Sequence, residues 1–246
     1  MRRIRLRVAY DGTDFCGWQI QPDKRTVEGE LDRAIGELLK VKLHVIGASR
    51  TDAGVHALGN VAVFDTDSPI PAEKFCFAIN RYLPKDVRVQ SSEEVPPDWH
   101  PRHCDCRKTY EYRILNRPVA IPTESRYSWL YHPELSLSRM QQAASCLVGT
   151  HDYKSFCSAR TDVESTVRTI YHLDVEREEN LILIRVEGNG FLYNMVRIIA
   201  GTLVQVGEGK IAPERIPDIL SCLDRKQAGI TAPPHGLRLV EICYDD

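Results

Sequence analysis

Between two apolar runs, Leu43 to Ile46 and Asn60 to Phe64, the chain reads Gly47-Ala48-Ser49-Arg50-Thr51-Asp52-Ala53-Gly54-Val55-His56-Ala57. One carboxylate, one guanidinium, two hydroxyls and two glycines stand in that stretch. A hairpin needs only about two to five turn residues, so this link is longer and chemically richer than turning requires. Its glycines admit backbone conformations closed to other residues and let a second chain approach closely. Asp52 is the only carboxylate between Glu37 and Asp65, so any acid–base or nucleophilic work here falls to it. Thr-Asp-Ala-Gly is also good turn chemistry, and for an arbitrary loop aspartate the turn is the better reading.

Arg197 is the second informative residue, the single charge in Phe191-Leu192-Tyr193-Asn194-Met195-Val196-Arg197-Ile198-Ile199-Ala200-Gly201. A guanidinium in so apolar a helix is costly unless a carboxylate and hydrogen bonds meet it. The competing reading is a stem that carries the head out to water. Periodicity leaves the two even. Tyr110 shares a strand face with Tyr112 and Ile114, which by itself is more often core than catalyst. Arg50 by itself reads as a surface loop arginine, and His56 as a hydrogen-bonded structural histidine.

These residues need elements to place them. Ile4, Leu6, Val8 and Tyr10 alternate with Arg3, Arg5, Arg7 and Ala9, giving a half-buried strand with a basic outer face. The loop Phe15-Cys16-Gly17-Trp18-Gln19 could stack on a ligand or cover a core edge. Thr26 suits an N-cap, followed by an apolar stripe of Val27, Leu31, Ile35, Leu38 and Leu39. Strands Leu43 to Ile46 and Asn60 to Phe64, a helix from Pro71 to about Arg81 and a strand Val87 to Ser91 follow. Strand, helix, strand, strand, helix, strand is the split βαβ, ferredoxin-like pattern. Glu93 to Pro101 reads as a connector.

The second half repeats the pattern with elaborations. Lys108 to Leu115 and Arg126 to Tyr131 are strands, Leu135 to Val148 a helix, and His151 to Val163 a loop. A hairpin of Val167 to Glu176 and Leu181 to Glu187 precedes a helix over Phe191 to Val206. A short helix, Pro213 to Leu223, and a strand, Leu237 to Cys243, close the chain. The expected fold is α+β, with a ferredoxin-like subdomain over residues 1–103 carrying the Asp52 loop and an elaborated α+β subdomain over 104–246.

Composition narrows the classes. With 246 residues, 43% hydrophobic and 27% charged, the chain has the make-up of a soluble globular protein. Its most apolar run, Phe191 to Val206, is broken by Asn194 and Arg197 and is short for a membrane span. The first residues lack the apolar core of a signal peptide, so a cytoplasmic location is expected. Net charge is −2, yet 23 Arg stand against 9 Lys, a balance that permits a phosphate-binding face without proving one. Of eight cysteines, only His103-Cys104-Asp105-Cys106 hints at a metal. It lacks the second spaced pair of a zinc site, and no metal is expected.

The Gly47–Ala57 string resembles the active-site motif of the bacterial tRNA pseudouridine synthase A (TruA) family. That pattern is close to Gly-Ala-Gly-Arg-Thr-Asp-Ala-Gly-Val-His-Ala, and Ser49 is the main departure. Phe191 to Gly201 resembles the family's second motif, Arg107-Lys108-Thr109-Tyr110-Glu111-Tyr112 a third, and Gly236-Leu237-Arg238-Leu239 a pocket-lining turn. The likeness runs from Tyr10-Asp11-Gly12-Thr13 to the last strand. It implies two ferredoxin-like subdomains with antiparallel sheets flanking a central catalytic cleft. Asp52 is then the catalytic residue, and Arg197 its ion-pair partner, holding it ionised. Tyr110 stacks beneath the target base, and Arg50 contacts RNA and helps turn the base outward.

The implied reaction converts uridine to pseudouridine at positions 38, 39 and 40 of the anticodon stem-loop of transfer RNA. It uses no metal or organic cofactor, and the protein acts as a homodimer. Two other readings stand beside it: a synthase of the same superfamily with other uridine targets, and a non-catalytic tRNA-binding protein. A metal-dependent hydrolase is the weakest.

Overall fold

Alternation of apolar residues with arginines builds β1 (Arg2–Tyr10), and Ile4, Leu6, Val8 and Tyr10 are all buried. The computed structural model describes residues 1–158 and 163–244. They divide into two units: Met1–Cys106 with the segment from Leu239 onward, and Arg107–Arg238. The sequence alone placed the division after residue 103 and kept the last strand with the second half.

In the first unit β1 is followed by α1 (Val27–Leu39), β2 (Ile46–Gly47), β3 (His56–Thr66), α2 (Phe75–Ile79) and β4 (Val87–Val95). The strand order is β4-β1-β3, antiparallel throughout, with β2 also paired to β3. That is the ferredoxin-like order the element pattern implies. Thr26 caps α1 by accepting from the Gly29 N–H, with Glu28 and Glu30 in the first turn. Val27, Leu31, Ala34 and Ile35 of α1 join Phe75 and Ile79 of α2 in the core, where the rings of Phe64 and Phe75 meet edge to face at 5.4 Å.

Three elements differ from expectation for local reasons. The strand foreseen over Leu43 to Ile46 shrinks to Ile46–Gly47, because Asp32 on α1 takes the Val45 N–H at 2.8 Å and His44 Nδ1 at 2.7 Å. The helix foreseen from Pro71 to Arg81 splits into a 3-10 turn, Ala72–Lys74, and α2. Ser92 of β4 accepts from the Cys76 N–H and donates to the Ala72 carbonyl at that joint. β4 itself runs on to Val95, into the expected connector, by pairing with Arg3 of β1.

The second unit holds β5 (Cys106–Asn116), β6 (Trp129–Tyr131), α3 (Leu137–Ser145), β7 (Gly149–Asp152), β8 (Val167–Glu178), β9 (Leu181–Gly188), α4 (Met195–Gly207) and α5 (Ile216–Ser221). The order β5-β9-β8-β7 is antiparallel, and β6 runs parallel to β5. Tyr112 and Ile114 of β5 and Ile182, Ile184 and Val186 of β9 are fully buried. The loop expected over His151 to Val163 begins as the end of edge strand β7 and a 3-10 turn, Lys154–Phe156; its residues 159–162 lie outside the described ones. The polar Thr150, His151 and Asp152 of β7 carry no apolar alternation, so a strand there leaves little trace in sequence. The last strand is β10 (Leu237–Tyr244), which pairs with β3 in the first unit. Among the described residues no helix is long and apolar enough to cross a membrane, and no group of three or more His, Cys, Asp or Glu is placed to hold a metal ion.

Candidate active site

The Asp52 loop is held from beneath by buried polar groups of the first unit. Asn60, at the buried heart of β3, donates from Nδ2 to the Ser49 carbonyl at 2.9 Å and to the Tyr10 hydroxyl at 3.2 Å. Its Oδ1 accepts from the Val61 N–H at 2.9 Å. Tyr10 in turn meets Thr51 Oγ1 at 2.7 Å. Because an amide nitrogen only donates, the Tyr10 oxygen is the acceptor toward Asn60, and the same hydroxyl is hydrogen-bonded to that of Thr51. Each of these groups would be costly to bury unpaired, so the loop and the strand beneath it fix each other.

A second loop braces the first. The Trp18 N–H donates to the Thr51 carbonyl at 3.0 Å, and the Gly54 N–H to the Phe15 carbonyl at 3.3 Å. Trp18 and Phe15 are buried, so the aromatic loop covers a core edge. Gly17 has φ 88 and lies so close that a Cβ there would stand 2.7 Å from the Thr51 carbonyl oxygen. Gly12 is tighter still, its Cβ position being 2.0 Å from the Val55 carbonyl oxygen. The turn after Asp52 is closed by the Val55 N–H donating to the Asp52 carbonyl at 3.1 Å, with Gly54 at φ 78.

On this frame Asp52 is half-buried, with Arg50 exposed two residues earlier. Ser49 is buried and is absent from the residues with positive φ, so the departure from glycine introduces no backbone strain. His56 is buried, with its Nδ1 3.0 Å from the Gly12 N–H and 3.2 Å from Asp11 Oδ1. It is the hydrogen-bonded histidine expected. Arg3 and Arg5 are turned to carboxylates: Arg3 grips Asp65 with two bonds of 2.7 and 2.8 Å, and Arg5 reaches Glu93 at 2.9 Å. Of that basic face, Arg7 is the exposed cation.

In the second unit Tyr110 is buried on β5, opposite Val186 of β9, and its ring stands edge to face with Phe191 at 5.2 Å. Burial holds the neighbouring Tyr112 hydroxyl well above its ordinary pKa, and that hydroxyl donates to the Pro233 carbonyl at 2.8 Å. Gly236 packs against the same ring, its Cβ position only 2.7 Å from Tyr112 Cζ. The Gly236–Leu239 turn is thus docked on Tyr112 through its glycine. On the opposite face of β5, Glu111 is buried with Arg238 Nη2 at 2.7 Å and Arg185 Nη2 at 3.3 Å.

Helix α4 is apolar on nearly every side, and within it only Arg197 and Gln205 are not buried. Arg197 Nε donates to the Ala232 carbonyl at 2.8 Å and Nη1 to Asn194 Oδ1 at 2.7 Å. The helix begins at Met195, four residues later than the apolar run suggests, because Asn194 sits at φ 61 and cannot continue a right-handed helix. Tyr10, Asn60 and Asn194 escaped the sequence reading as site residues. A polar residue opening the buried run Val61-Ala62-Val63-Phe64 was the available signal for Asn60.

A model of the family described as "tRNA pseudouridine synthase" matches residues 7–103 and 143–245. The tRNA pseudouridine synthase A of Ruminiclostridium cellulolyticum is 50% identical over 245 residues, spanning 99% of this chain and 100% of the relative. Those of a Thermoanaerobacter species and of Brevibacillus brevis are each 48% identical over 244 residues, again with 99% and 100% coverage. Among solved structures, a chain in the crystal structure of a Cbf5-Nop10-Gar1 complex is matched at a TM-score of 0.38 and 14% identity. That likeness spans 97% of this chain but only 59% of the other. With the family match over most of its length and near half identity to full-length relatives, the chain belongs to the tRNA pseudouridine synthase family.

Proposed function

We propose that the protein isomerises uridine to pseudouridine at positions 38, 39 and 40 of the anticodon stem-loop of transfer RNA, with Asp52 as its catalytic residue. The observation that carries this reading is the Asp52 loop itself, one carboxylate on a backbone clamped by Asn60, Trp18 and Phe15. Clamping of this kind is what a reacting group needs, since small misplacements cost large factors in rate.

The reaction breaks the N1–C1′ bond, rotates the freed uracil and joins C5 to C1′. The proton on C5 leaves to solvent and N1 gains one, so substrate and product have the same composition and no oxidant enters. A carboxylate suits the task because it can add to a carbon centre or take a proton. Tyr110 supplies the aromatic face for the extruded base, Arg197 the cation, and Arg50 a contact to RNA. The pairing of Arg197 with Asp52 that the resemblance implies joins residues of different units. Its test is a double-mutant cycle on catalytic rate, in which coupled losses support the pairing and additive losses reject it. The protein is further taken to act in the cytoplasm, as a homodimer and without a cofactor.

Mapping pseudouridine in unmodified tRNA transcripts after incubation with the protein tests the substrate. New pseudouridine at positions 38 to 40 is the expected result. Modification elsewhere would assign a different set of uridines, and binding without modification would leave a tRNA-binding protein.

A further inference from the structure

Asn194 stands at the N-cap of α4 in a role that helix formation does not require. An N-cap asparagine ordinarily has extended backbone and accepts from the N–H of the second or third helical residue. Asn194 instead has φ 61 and ψ 8, and its side chain makes no cap. Glycine takes that conformation most readily. The side chain, then, has another use. Its Oδ1 accepts from Arg197 Nη1 at 2.7 Å, while its Nδ2 donates to Ser158 Oγ at 2.9 Å.

A guanidinium is planar, with its donors in a fixed fork. Arg197 is gripped at two different nitrogens, Nε by the Ala232 carbonyl and Nη1 by Asn194. Two such contacts define the plane and therefore the direction of Nη2. The Ala232 N–H returns a bond to the Arg197 carbonyl at 3.1 Å, so that backbone contact is anchored from both ends. Asn194 is the adjustable half of the grip, and Ser158 holds it in turn.

We propose that Asn194 is a positioning residue that aims the Arg197 guanidinium for the reaction. The inference rests on the reading that Arg197 serves catalysis. Its backbone carbonyl accepts from the Ile198 N–H at 2.9 Å whatever the side chain, so substitutions here test the arm and not the helix start.

The experiment measures single-turnover tritium release from tRNA labelled at uridine C5, tRNA affinity and melting temperature for Asn194→Gly, Asn194→Asp and Arg197→Ala. Asn194→Gly keeps a backbone that accepts φ 61 and removes the arm. Relief of the left-handed asparagine offsets the two bonds lost, so it should melt within a few degrees of wild type, bind tRNA within about threefold, and react at least about tenfold more slowly. Asn194→Asp keeps an acceptor for Arg197 and an oxygen to which Ser158 can donate, and should react within about threefold of wild type. A wild-type rate for Asn194→Gly, with Arg197→Ala strongly slowed, would overturn the inference while leaving Arg197 its role. A slow Asn194→Gly whose loss tracks a lowered melting temperature would overturn it too. A wild-type rate for Arg197→Ala would remove the reading beneath it.

Discussion

The hydroxyls of Tyr10 and Thr51, 41 positions apart in sequence, meet at 2.7 Å inside the first unit. Asn60 donates to the same phenol, so a chain of buried hydrogen bonds links Asn60 through Tyr10 to the residue that precedes Asp52. Tyr10→Phe deletes one oxygen and leaves the ring in place beside Trp18. It strands two buried partners and should cost about 1–3 kcal/mol in urea unfolding. Tritium release should slow more than tRNA binding weakens. Thr51→Ser, which keeps the hydroxyl, should stay close to wild type, whereas Thr51→Val should behave like Tyr10→Phe.

Gly17 and Ser49 should both resist exchange, for different physical reasons. Gly17→Ala places a methyl group 2.7 Å from the Thr51 carbonyl oxygen at φ 88, so it should destabilise by more than about 1 kcal/mol and impair catalysis. Ser49 needs no glycine conformation. Ser49→Gly should therefore gain nothing and lose up to about 1 kcal/mol through the freer unfolded chain. Thermal melts of the two variants check both losses.

Much of this was legible in the residues. The period of two in β1, the Thr26 cap and the β8–β9 hairpin follow from local pattern, because side-chain alternation and cap chemistry are short-range. Asp52 stood out as the lone carboxylate of an over-long link. The misreadings arose where a distant side chain captured a backbone group. Asp32 took the Val45 N–H from a strand, and Ser92 divided a helix. The support beneath Asp52 was hidden for the same reason, since Tyr10, Thr51 and Asn60 come together only in the folded sheet. Asn194 looked like one more residue of a helix because a left-handed backbone leaves no mark in hydrophobic periodicity.

Acid stability should report the clamp behind the aromatic loop. Arg25 holds Asp86 through two bonds of 2.8 and 2.9 Å and lies over the Phe15 ring at 4.1 Å. The hydrogen bond to Arg25 lowers the Asp86 pKa, with burial opposing it. A carboxylate depressed in the folded state stabilises above its unfolded pKa of about 3.9, and that contribution is lost as pH falls through the folded value. Asp86→Asn should thus destabilise at pH 7, by about 1 kcal/mol at most because the pair is partly exposed and screened. The gap to wild type should close below about pH 4. A constant gap across pH would place the effect in packing.

Tyr110 separates ring from hydroxyl. Tyr110→Phe keeps the contact with Phe191 and the aromatic face for the base, so tRNA affinity should hold within about threefold; if the hydroxyl also carries a proton in the reaction, tritium release falls at least about tenfold. An unchanged rate would confine Tyr110 to stacking. Tyr110→Leu, with no aromatic face, should lose more than Tyr110→Phe.

Binding to tRNA should weaken steeply as salt rises, since phosphate contacts release counterions. Titrations at several salt concentrations check this, and a flat affinity would contradict recognition through the RNA backbone.

The most direct measurement is tritium release from C5-labelled uridine in transfer RNA by wild type and Asp52→Asn, side by side in metal-free buffer. The account predicts release by wild type alone, with Asp52→Asn still folded and still binding tRNA. Equal release by both proteins would remove Asp52 from the chemistry and contradict the account at its centre.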